Sequence, residues 1–354
     1  MQFNTKKDAE KAILVGVIYS NKEDVSSQLK ELSRLAETAG VYVLDSTYQY
    51  VREITPATLI GEGKVQEIKD LVQEKDANLV IFDVELSGSQ TKNLSDAFGV
   101  KVIDRITLIL DIFAGRAISN EGKLQVQLAQ LKYNMPRLAS LKGTSGRFGS
   151  GGVGMRGPGE TKLELDRRAA QDNIFKLEKE IAKIKQNRQL QKKNRNSNAF
   201  KVAIVGYTNA GKSTLLNLIS KAGIYADDKL FATLDTTSRN VYLDYGKQIV
   251  LTDTVGFISK LPHHLIDAFS ATLEEAKDAN LILHVIDSSN SDKNKQIEVV
   301  EQVLNKQQVT APILRVYNKS DLTNEKFLDG VCISAKKNLG IDILKAKILE
   351  YYDK

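Results

Sequence analysis

The pattern of apolar and polar residues divides the chain into three parts, and the first part alternates strand-like and helix-like stretches. Residues 24–39 place their leucines on one helical face, with Asp24 as the N-cap and Gly40 as the stop. Buried strands are indicated at residues 12–18, 41–44, 79–83 and 100–103, and further helices at residues 63–76 and 90–98. This alternation predicts an N-terminal α/β domain with a parallel sheet over residues 1–113.

The second part, residues 114–192, has helical periodicity with dense charge. Leucines and isoleucines recur at helical spacing over residues 122–141 and 161–191, so we expect a helical hairpin. The joining loop, residues 143–160, is far richer in glycine than an average chain and cannot bury a core of its own. Residues 193–199 are polar and are interpreted as a linker.

The third part, residues 200–354, opens with an apolar strand that leads directly into a glycine-containing loop and a helix. The loop matches G-x-x-x-x-G-K-[ST], in the strand-before and helix-after context that gives the motif its meaning. Its glycines let backbone N–H groups face phosphates, and its lysine can reach the β- and γ-phosphates. The predicted phosphate-binding residues are Gly206, Tyr207, Thr208, Asn209, Ala210, Gly211, Lys212, Ser213 and Thr214. We therefore predict a P-loop domain with a doubly wound sheet.

A second group of residues points to Mg²⁺ beside the phosphates. Asp253 ends an apolar strand and is followed by Thr-Val-Gly256, so its carboxylate can hold the ion through water while the Gly256 N–H faces the γ-phosphate. The Ser213 hydroxyl is the direct ligand expected from the phosphate loop. A threonine of the first switch, the segment at residues 231–237, should complete the site. Thr233, after Phe231, is favoured, and Thr236 is the alternative.

Guanine selection is predicted from the segment that follows the strand at residues 313–317. The sequence Asn318-Lys319-Ser320-Asp321 offers a carboxylate that can accept hydrogen bonds from guanine N1–H and the 2-amino group, which adenine lacks. Asn318 is expected to fix the loop, and the Lys319 stem to cover the base. The backbone-donor loop for guanine O6 is expected at Ser334, Ala335 and Lys336.

The catalytic residue is not identified by the sequence. Phe257 follows Gly256, where many GTPases carry a glutamine that orients the attacking water. Because a phenyl ring cannot hydrogen-bond water, we expect slow hydrolysis by the protein alone. His263 and His264 lie in the helix expected after residues 253–257, the second switch, and are interpreted as a solvated face of that helix.

Composition and charge narrow the class of partner. The chain has 354 residues, of which 42% are hydrophobic and 27% charged, as in a folded water-soluble protein. Its net charge is +6, but residues 116–195 hold 18 Lys/Arg against 7 Asp/Glu, a local +11 that leaves −5 for the rest. A one-sided excess around a glycine-rich loop favours contact with a polyanion, although charge on helices is often only a solvated face.

The sequence also bears on location. The apolar runs fall short of the roughly 20 residues of a membrane span, and the first residues are too polar for a signal peptide. Cys332 is the single cysteine, which excludes an internal disulfide and fits a reducing compartment; we expect it to be a small buried hydrophobe in a strand. The predicted location is the cytoplasm.

Nearly the whole chain resembles the HflX family of ribosome-associated GTPases. The resemblance is carried by Leu-Ile-Gly-Glu-Gly-Lys-Val at residues 59–65, Glu-Gly-Lys-Leu-Gln-Val-Gln-Leu at 121–128 and Arg-Gly-Pro-Gly-Glu-Thr at 156–161. It continues through Phe-Ala-Thr-Leu-Asp at 231–235 and Asp-Thr-Val-Gly-Phe-Ile at 253–258. The Gly61–Lys64 segment is too short for a second phosphate loop and is interpreted as a helix start.

The resemblance implies a GTPase, stimulated by ribosomes, that binds the large subunit as a monomer and dissociates stalled or idle ribosomes. It also implies that the glycine-rich loop reaches toward the peptidyl-transferase region. RNA contacts are expected at Lys142, Arg147, Arg156 and Lys162. Many family members carry a further C-terminal domain that this sequence is expected to lack. Two alternatives stay open: a GTP-timed assembly factor for the large subunit, and a regulator of a protein partner such as a protease complex.

Overall fold

The computed structural model describes residues 10–19, 24–138, 162–194, 199–220, 230–231, 236–243, 246–260 and 270–353. The chain forms two compact units. One comprises Met1–Ala114 and Val126–Glu180, and the other comprises Gly115–Gln125 and Ile181–Lys354. The finer division predicted at residues 113, 192 and 199 stays a prediction. Within the described ranges, no helix is long and apolar enough to cross a membrane.

A four-stranded parallel sheet forms the centre of the first unit, as predicted. Its strands are β1 (Lys11–Ile18), β2 (Tyr42–Tyr50), β3 (Leu79–Phe82) and β4 (Lys101–Asp104), in the order β2-β1-β3-β4. Strand β2 is longer than the apolar run that predicted it. Its second half alternates tyrosines with polar residues and lies at the edge of the sheet, so it carries no continuous apolar run.

Three of the helices around this sheet follow their sequence signals. They are α1 (Val25–Thr38), α2 (Glu62–Glu74) and α3 (Gly88–Phe98). Asp24 caps α1 as predicted, because its carboxylate accepts a hydrogen bond from the Ser26 N–H at 3.0 Å. Gly61 is the N-cap of α2, which confirms that the Gly61–Lys64 segment is a helix start.

Helix α4 (Arg105–Arg116) was not predicted from the sequence. Its first two turns are buried on almost every side, so the apolar residues show no one-sided helical stripe. The helix begins under Asp104, whose carboxylate accepts from the N–H and the hydroxyl of Thr107 at 2.9 and 2.7 Å. Arg105 is buried beside the carboxylates of Asp83 and Glu31, which neutralise it.

The predicted helical hairpin is present. It consists of α5 (Asn120–Asn134), which continues in a 3-10 turn at Met135–Arg137, and α6 (Lys162–Asn194). Ion pairs Lys132–Glu178 and Arg188–Glu121, at 2.7 and 2.8 Å, show that the two helices run antiparallel. The first helix ends before residue 141 because Pro136 cannot continue the hydrogen-bonding pattern.

The predicted RNA contacts at Lys142, Arg147 and Arg156 lie outside the described residues, as does the glycine-rich loop. Lys162 is the first residue of α6, but its side chain is also outside the described part of the chain.

A six-stranded sheet forms the centre of the second unit. The strand order is β10-β9-β8-β5-β7-β6, and only β6 runs antiparallel to its neighbour among these strands. The strands are β5 (Phe200–Gly206), β6 (Thr237–Tyr242), β7 (Gln248–Asp253), β8 (Leu281–Asp287), β9 (Ile313–Asn318) and β10 (Gly330–Cys332). Cys332 ends β10, as expected, but it is half-buried and not fully buried, because it lies at the end of an edge strand.

Helices cover both faces of this sheet, which confirms the predicted doubly wound architecture. They are α7 (Lys212–Ser220), α8 (Ser270–Lys277), α9 (Lys293–Lys306) and α10 (Ile341–Tyr352). One apolar cluster joins the sheet to α7 and α10, and another joins it to α8 and α9. The carboxyl ends of β5, β7, β8 and β9 therefore meet at one edge, where the candidate site lies.

A buried histidine in the central strand β8 makes the stability of this unit sensitive to acid. His284 is 1% exposed, and its Nδ1 has no hydrogen-bond partner among the described residues. Burial lowers the pKa of His284 to about 4; Glu301 opposes this shift, while Arg315 and Lys212 reinforce it. The imidazole is therefore neutral at pH 7.

We expect stability to fall as the pH drops from about 6.5 to about 4, because the unfolded chain binds this proton first. The full effect is about 3 kcal/mol, since each pKa unit corresponds to about 1.4 kcal/mol. An NMR titration should give a midpoint near pH 4 for the imidazole signal that is missing in His284→Leu. A midpoint near the ordinary value would contradict this burial effect.

Candidate functional site

The phosphate loop connects the end of β5 to the start of α7, and two of its glycines are required by their surroundings. A Cβ at Gly206 would lie 2.2 Å from the carbonyl oxygen of Val285 in β8. Gly211 has φ +92°, and a Cβ there would lie 2.2 Å from Nδ2 of Asn318. The loop therefore passes against the neighbouring strands at distances that only glycine allows.

Lys212, the first residue of α7, folds back over the loop. Its ammonium group donates to the carbonyl oxygen of Tyr207 at 2.9 Å, and the residue is 6% exposed. Burial lowers the pKa of Lys212 to about 8, and the carboxylate of Asp253 opposes this shift. A buried cation at a helix N-terminus is suited to a phosphate group.

The donor set expected for Mg²⁺ is brought together in part. Ser213 Oγ donates to Asp253 Oδ2 at 2.7 Å, although the two residues are 40 positions apart. A hydroxyl and a carboxylate beside a phosphate loop fit Mg²⁺, which prefers oxygen ligands and completes its shell with water and phosphate. Thr233 lies outside the described residues. Thr236, the alternative, precedes β6.

The start of the second switch is attached to the phosphate loop by backbone hydrogen bonds. The N–H of Thr208 donates to the carbonyl of Phe257 at 2.8 Å, and the N–H of Phe257 donates to Gly206 at 3.1 Å. The Tyr207 hydroxyl accepts from the N–H of Ser259 at 2.7 Å. The Phe257 ring packs in the apolar cluster under α8 and α9, so it serves the core.

Asn318, at the end of β9, connects the phosphate loop to the Ser334–Ala335 loop. Its Nδ2 donates to the carbonyl of Ala210 at 2.8 Å, and its Oδ1 accepts from the N–H of Ala335 at 3.0 Å. Its backbone carbonyl accepts from the N–H and hydroxyl of Ser288. This one side chain thus fixes two loops that lie far apart in the sequence.

Asp321 is held by groups from the next loop. Hydrogen bonds from Ser334, and then from Lys337, hold the pKa of the Asp321 carboxyl below its ordinary value. The Lys337 ammonium lies 3.3 Å from Asp321 Oδ2. The carboxylate is therefore ionised at neutral pH and restricted in orientation.

The remaining predicted residues differ in position. Phe231 is buried with φ 53°, Thr214 is half-buried in the first turn of α7, and Lys336 is exposed. The N–H of Ala335 donates to Asn318 in this structure. His263 and His264 lie outside the described residues.

Two charged partners in the site were missed from the sequence. Asp287 pairs with Lys319 at 2.6 Å, and Lys337 pairs with Asp321. Asp287 could have been found, because it ends the apolar strand β8 beside the strand that carries Asn318. Lys337 had no comparable signal, since an exposed lysine after a loop is common.

Comparison with family models assigns each part of the chain. Residues 26–114 match "GTP-binding GTPase N-terminal", residues 116–195 match "GTP-binding GTPase Middle Region" and residues 201–319 match "50S ribosome-binding GTPase". A GTPase HflX of Caldanaerobacter subterraneus is 51% identical over 344 residues, covering 96% of this chain and 79% of that protein. The chain belongs to the HflX family of GTPases. The Escherichia coli GTPase HflX is 42% identical over 328 residues, which cover 91% of this chain and 76% of that one.

Solved structures support the same assignment. The chain matches a crystal structure described as SsGBP in complex with GDP, with a TM-score of 0.55 and 27% identity, over 96% of this chain and 98% of that one. A GTP-binding protein from Sulfolobus solfataricus, also with GDP, matches with a TM-score of 0.50 and 26% identity over 97% and 98%. As a member of the HflX family with a P-loop GTPase domain, this protein is a GTP hydrolase.

Proposed function

We propose that the edge formed by β5, β7, β8 and β9 binds GTP with the residues predicted from the sequence. The observation that carries this proposal is the Asn318 side chain, which bonds to the phosphate loop and to the Ser334–Ala335 loop. Lys212 faces the phosphates, and Asp321 accepts from guanine. Such an arrangement reads both ends of one nucleotide.

Mg²⁺ fits the Ser213 hydroxyl as a direct ligand and the Asp253 carboxylate through water, with a first-switch threonine, Thr233 by preference, as the further protein ligand. When bound, the ion neutralises charge on the β- and γ-phosphates. The chain itself holds the triphosphate with the Lys212 ammonium group and with the N-terminus of α7, where Lys212 is the first residue. The 2.7 Å hydrogen bond from Ser213 to Asp253 holds these two oxygen donors next to each other.

We infer that hydrolysis is slow in the protein alone and is stimulated by ribosomes. Phe257 packs in the core and offers the attacking water no hydrogen bond. The second switch, attached to the phosphate loop through Gly206 and Thr208, would rearrange when a partner binds. A bound partner would order the second switch and so increase the rate of hydrolysis.

We propose that the partner is the large ribosomal subunit and that the GTP-bound protein dissociates stalled or idle ribosomes in the cytoplasm. The local charge of +11 over residues 116–195 supports contact with ribosomal RNA near the peptidyl-transferase region. The matched family, described as "50S ribosome-binding GTPase", supports the choice of subunit. GTP hydrolysis then controls release, and one copy acts on each ribosome.

Arg147 and Arg156 test this proposal because they lie in the glycine-rich loop. The double change Arg147→Ala and Arg156→Ala should lower the affinity for large subunits about tenfold or more in physiological salt, since lost phosphate contacts release fewer counterions. GTP affinity should stay unchanged. Co-sedimentation with large subunits at two salt concentrations, with a GTP analogue or GDP, measures the first effect, and light scattering of whole ribosomes measures splitting.

The matched control removes two positive charges elsewhere, with Lys306→Ala and Lys326→Ala, both exposed in the GTPase unit. This control should bind and split ribosomes like the parent. Equal binding by both double variants would exclude the loop as the contact. Binding without splitting would favour the GTP-timed assembly factor, and no binding in any nucleotide state would favour a protein partner.

A further inference from the structure

The phosphate loop contains a buried hydroxyl that has no hydrogen-bond partner among the described residues. Thr208 is 7% exposed, and its Oγ1 makes no hydrogen bond to any described part of the protein. Buried hydroxyls are nearly always paired, because removing one from water without a partner costs free energy. The described contacts of the fold therefore do not explain why a hydroxyl is buried here.

The Thr208 side chain lies beside two groups that are expected to contact the terminal phosphate. A Cβ built on Gly256 would lie 2.8 Å from Thr208 Cγ2 and 2.9 Å from Lys212 Nζ. The Thr208 side chain, the Gly256 backbone and the Lys212 ammonium therefore converge on one point. Lys212 is the group placed to contact the terminal phosphates, so the Thr208 side chain borders the place of the γ-phosphate.

The position after Gly256 does not carry the glutamine that orients the attacking water in many GTPases. The residue after Gly256 is Phe257, and its ring is buried among Ala203 and Val205, away from the loop surface. The peptide of Phe257 is bonded to both Gly206 and Thr208, which holds the Thr208 backbone in place. A hydroxyl on a fixed backbone beside the γ-phosphate can replace a missing side-chain amide.

We propose that the Thr208 hydroxyl orients the attacking water in GTP hydrolysis, which rests on the proposed GTP site. The hydroxyl accepts a hydrogen bond from the water and donates a hydrogen bond to a γ-phosphate oxygen, keeping its own proton. The water oxygen bonds to the γ-phosphorus as the bond to the bridging oxygen breaks, and that electron pair leaves with GDP. The water proton is transferred to the released phosphate, and Thr208 is unchanged.

Thr208→Val tests this assignment, because valine keeps the branched shape and removes only the hydroxyl. In single-turnover hydrolysis with the full chain in excess over radiolabelled GTP and Mg²⁺, Thr208→Val should be about tenfold to a hundredfold slower than the parent. The affinity for GDP should change less than about threefold, since GDP has no γ-phosphate for the hydroxyl to contact. Thr208→Ala should be as slow as Thr208→Val.

Thr208→Ser is the matched rescue, since it restores the hydroxyl without the methyl group, and it should recover most of the rate. An unchanged rate in Thr208→Val would overturn the assignment. So would an equal loss in Thr208→Ser, which would show that the methyl packing matters instead.

Each rate is measured with and without large subunits. A parent that ribosomes do not stimulate would count against the ribosome proposal only. A parent that binds no guanine nucleotide would overturn both proposals.

Discussion

Asp321→Asn is expected to change the preferred nucleotide from guanosine to xanthosine. The carboxylate of Asp321 accepts from N1–H and the 2-amino group of guanine. An asparagine amide would instead place a donor against the 2-amino group, leaving two donors opposed. Xanthine carries an oxygen at this position, so the amide restores the pairing. Affinity for GDP should fall about 10³-fold or more, because sites built around such hydrogen bonds reject mismatched partners strongly.

The experiment is a titration with fluorescent GDP and xanthosine diphosphate, using the parent and the variant. Ser334 and Lys337 already hold the Asp321 side chain, so the asparagine is expected to occupy the same place. Asp342→Asn removes the same charge from the exposed first turn of α10 and serves as the control. Undiminished GDP affinity in Asp321→Asn would show that the base lies elsewhere.

Asn318→Ala is expected to destabilise the GTPase unit and to abolish tight nucleotide binding. The substitution removes two buried hydrogen bonds and leaves the carbonyl of Ala210 and the N–H of Ala335 unpaired. Each unsatisfied buried group costs about 1–3 kcal/mol, so the loss of both partners should lower the free energy of unfolding by about 2–6 kcal/mol. Nucleotide affinity should fall as well, because the phosphate loop loses its connection to β9.

Denaturant unfolding with and without GDP separates the two effects. Asn305→Ala, on the exposed side of α9, removes an identical side chain outside the site and should leave both stability and affinity nearly unchanged. A variant as stable as the parent would show that these two hydrogen bonds do not stabilise the fold. A destabilised variant with parental affinity would mean that it serves only the fold.

The sequence predicted the two sheets and those helices whose signals are local, although it did not single out strand β8 or helix α9. A strand end, a loop of fixed spacing and a helix start are encoded within about ten residues, as at Gly206–Ser213. Asp24 and Gly61 likewise mark helix starts by their own backbone and side-chain preferences. Helix α4 escaped this logic, since a helix buried on nearly every side loses the amphipathic pattern.

For the candidate site, the sequence named residues but did not show how those residues are connected. Asn318 and Asp321 were identified by type and spacing, yet nothing local shows that Asn318 bonds to Ala210, 108 positions earlier. The pairing of Asp287 with Lys319 likewise requires knowing that β8 and β9 are neighbours. Strand order is a property of the folded sheet, and the chain order of the strands does not give it.

The sequence by itself determined the class of ligand, because phosphate, Mg²⁺ and guanine each require particular groups at short spacing in one stretch of chain. It also showed that Phe257 cannot orient water. Only the tertiary structure decided where that ring goes and which carboxylates and amides meet across the sheet. It alone also placed the Thr208 side chain beside Gly256 and Lys212, with a buried hydroxyl that has no hydrogen-bond partner among the described residues. The reason is physical: burial and hydrogen-bond satisfaction depend on segments that approach only when the chain has folded.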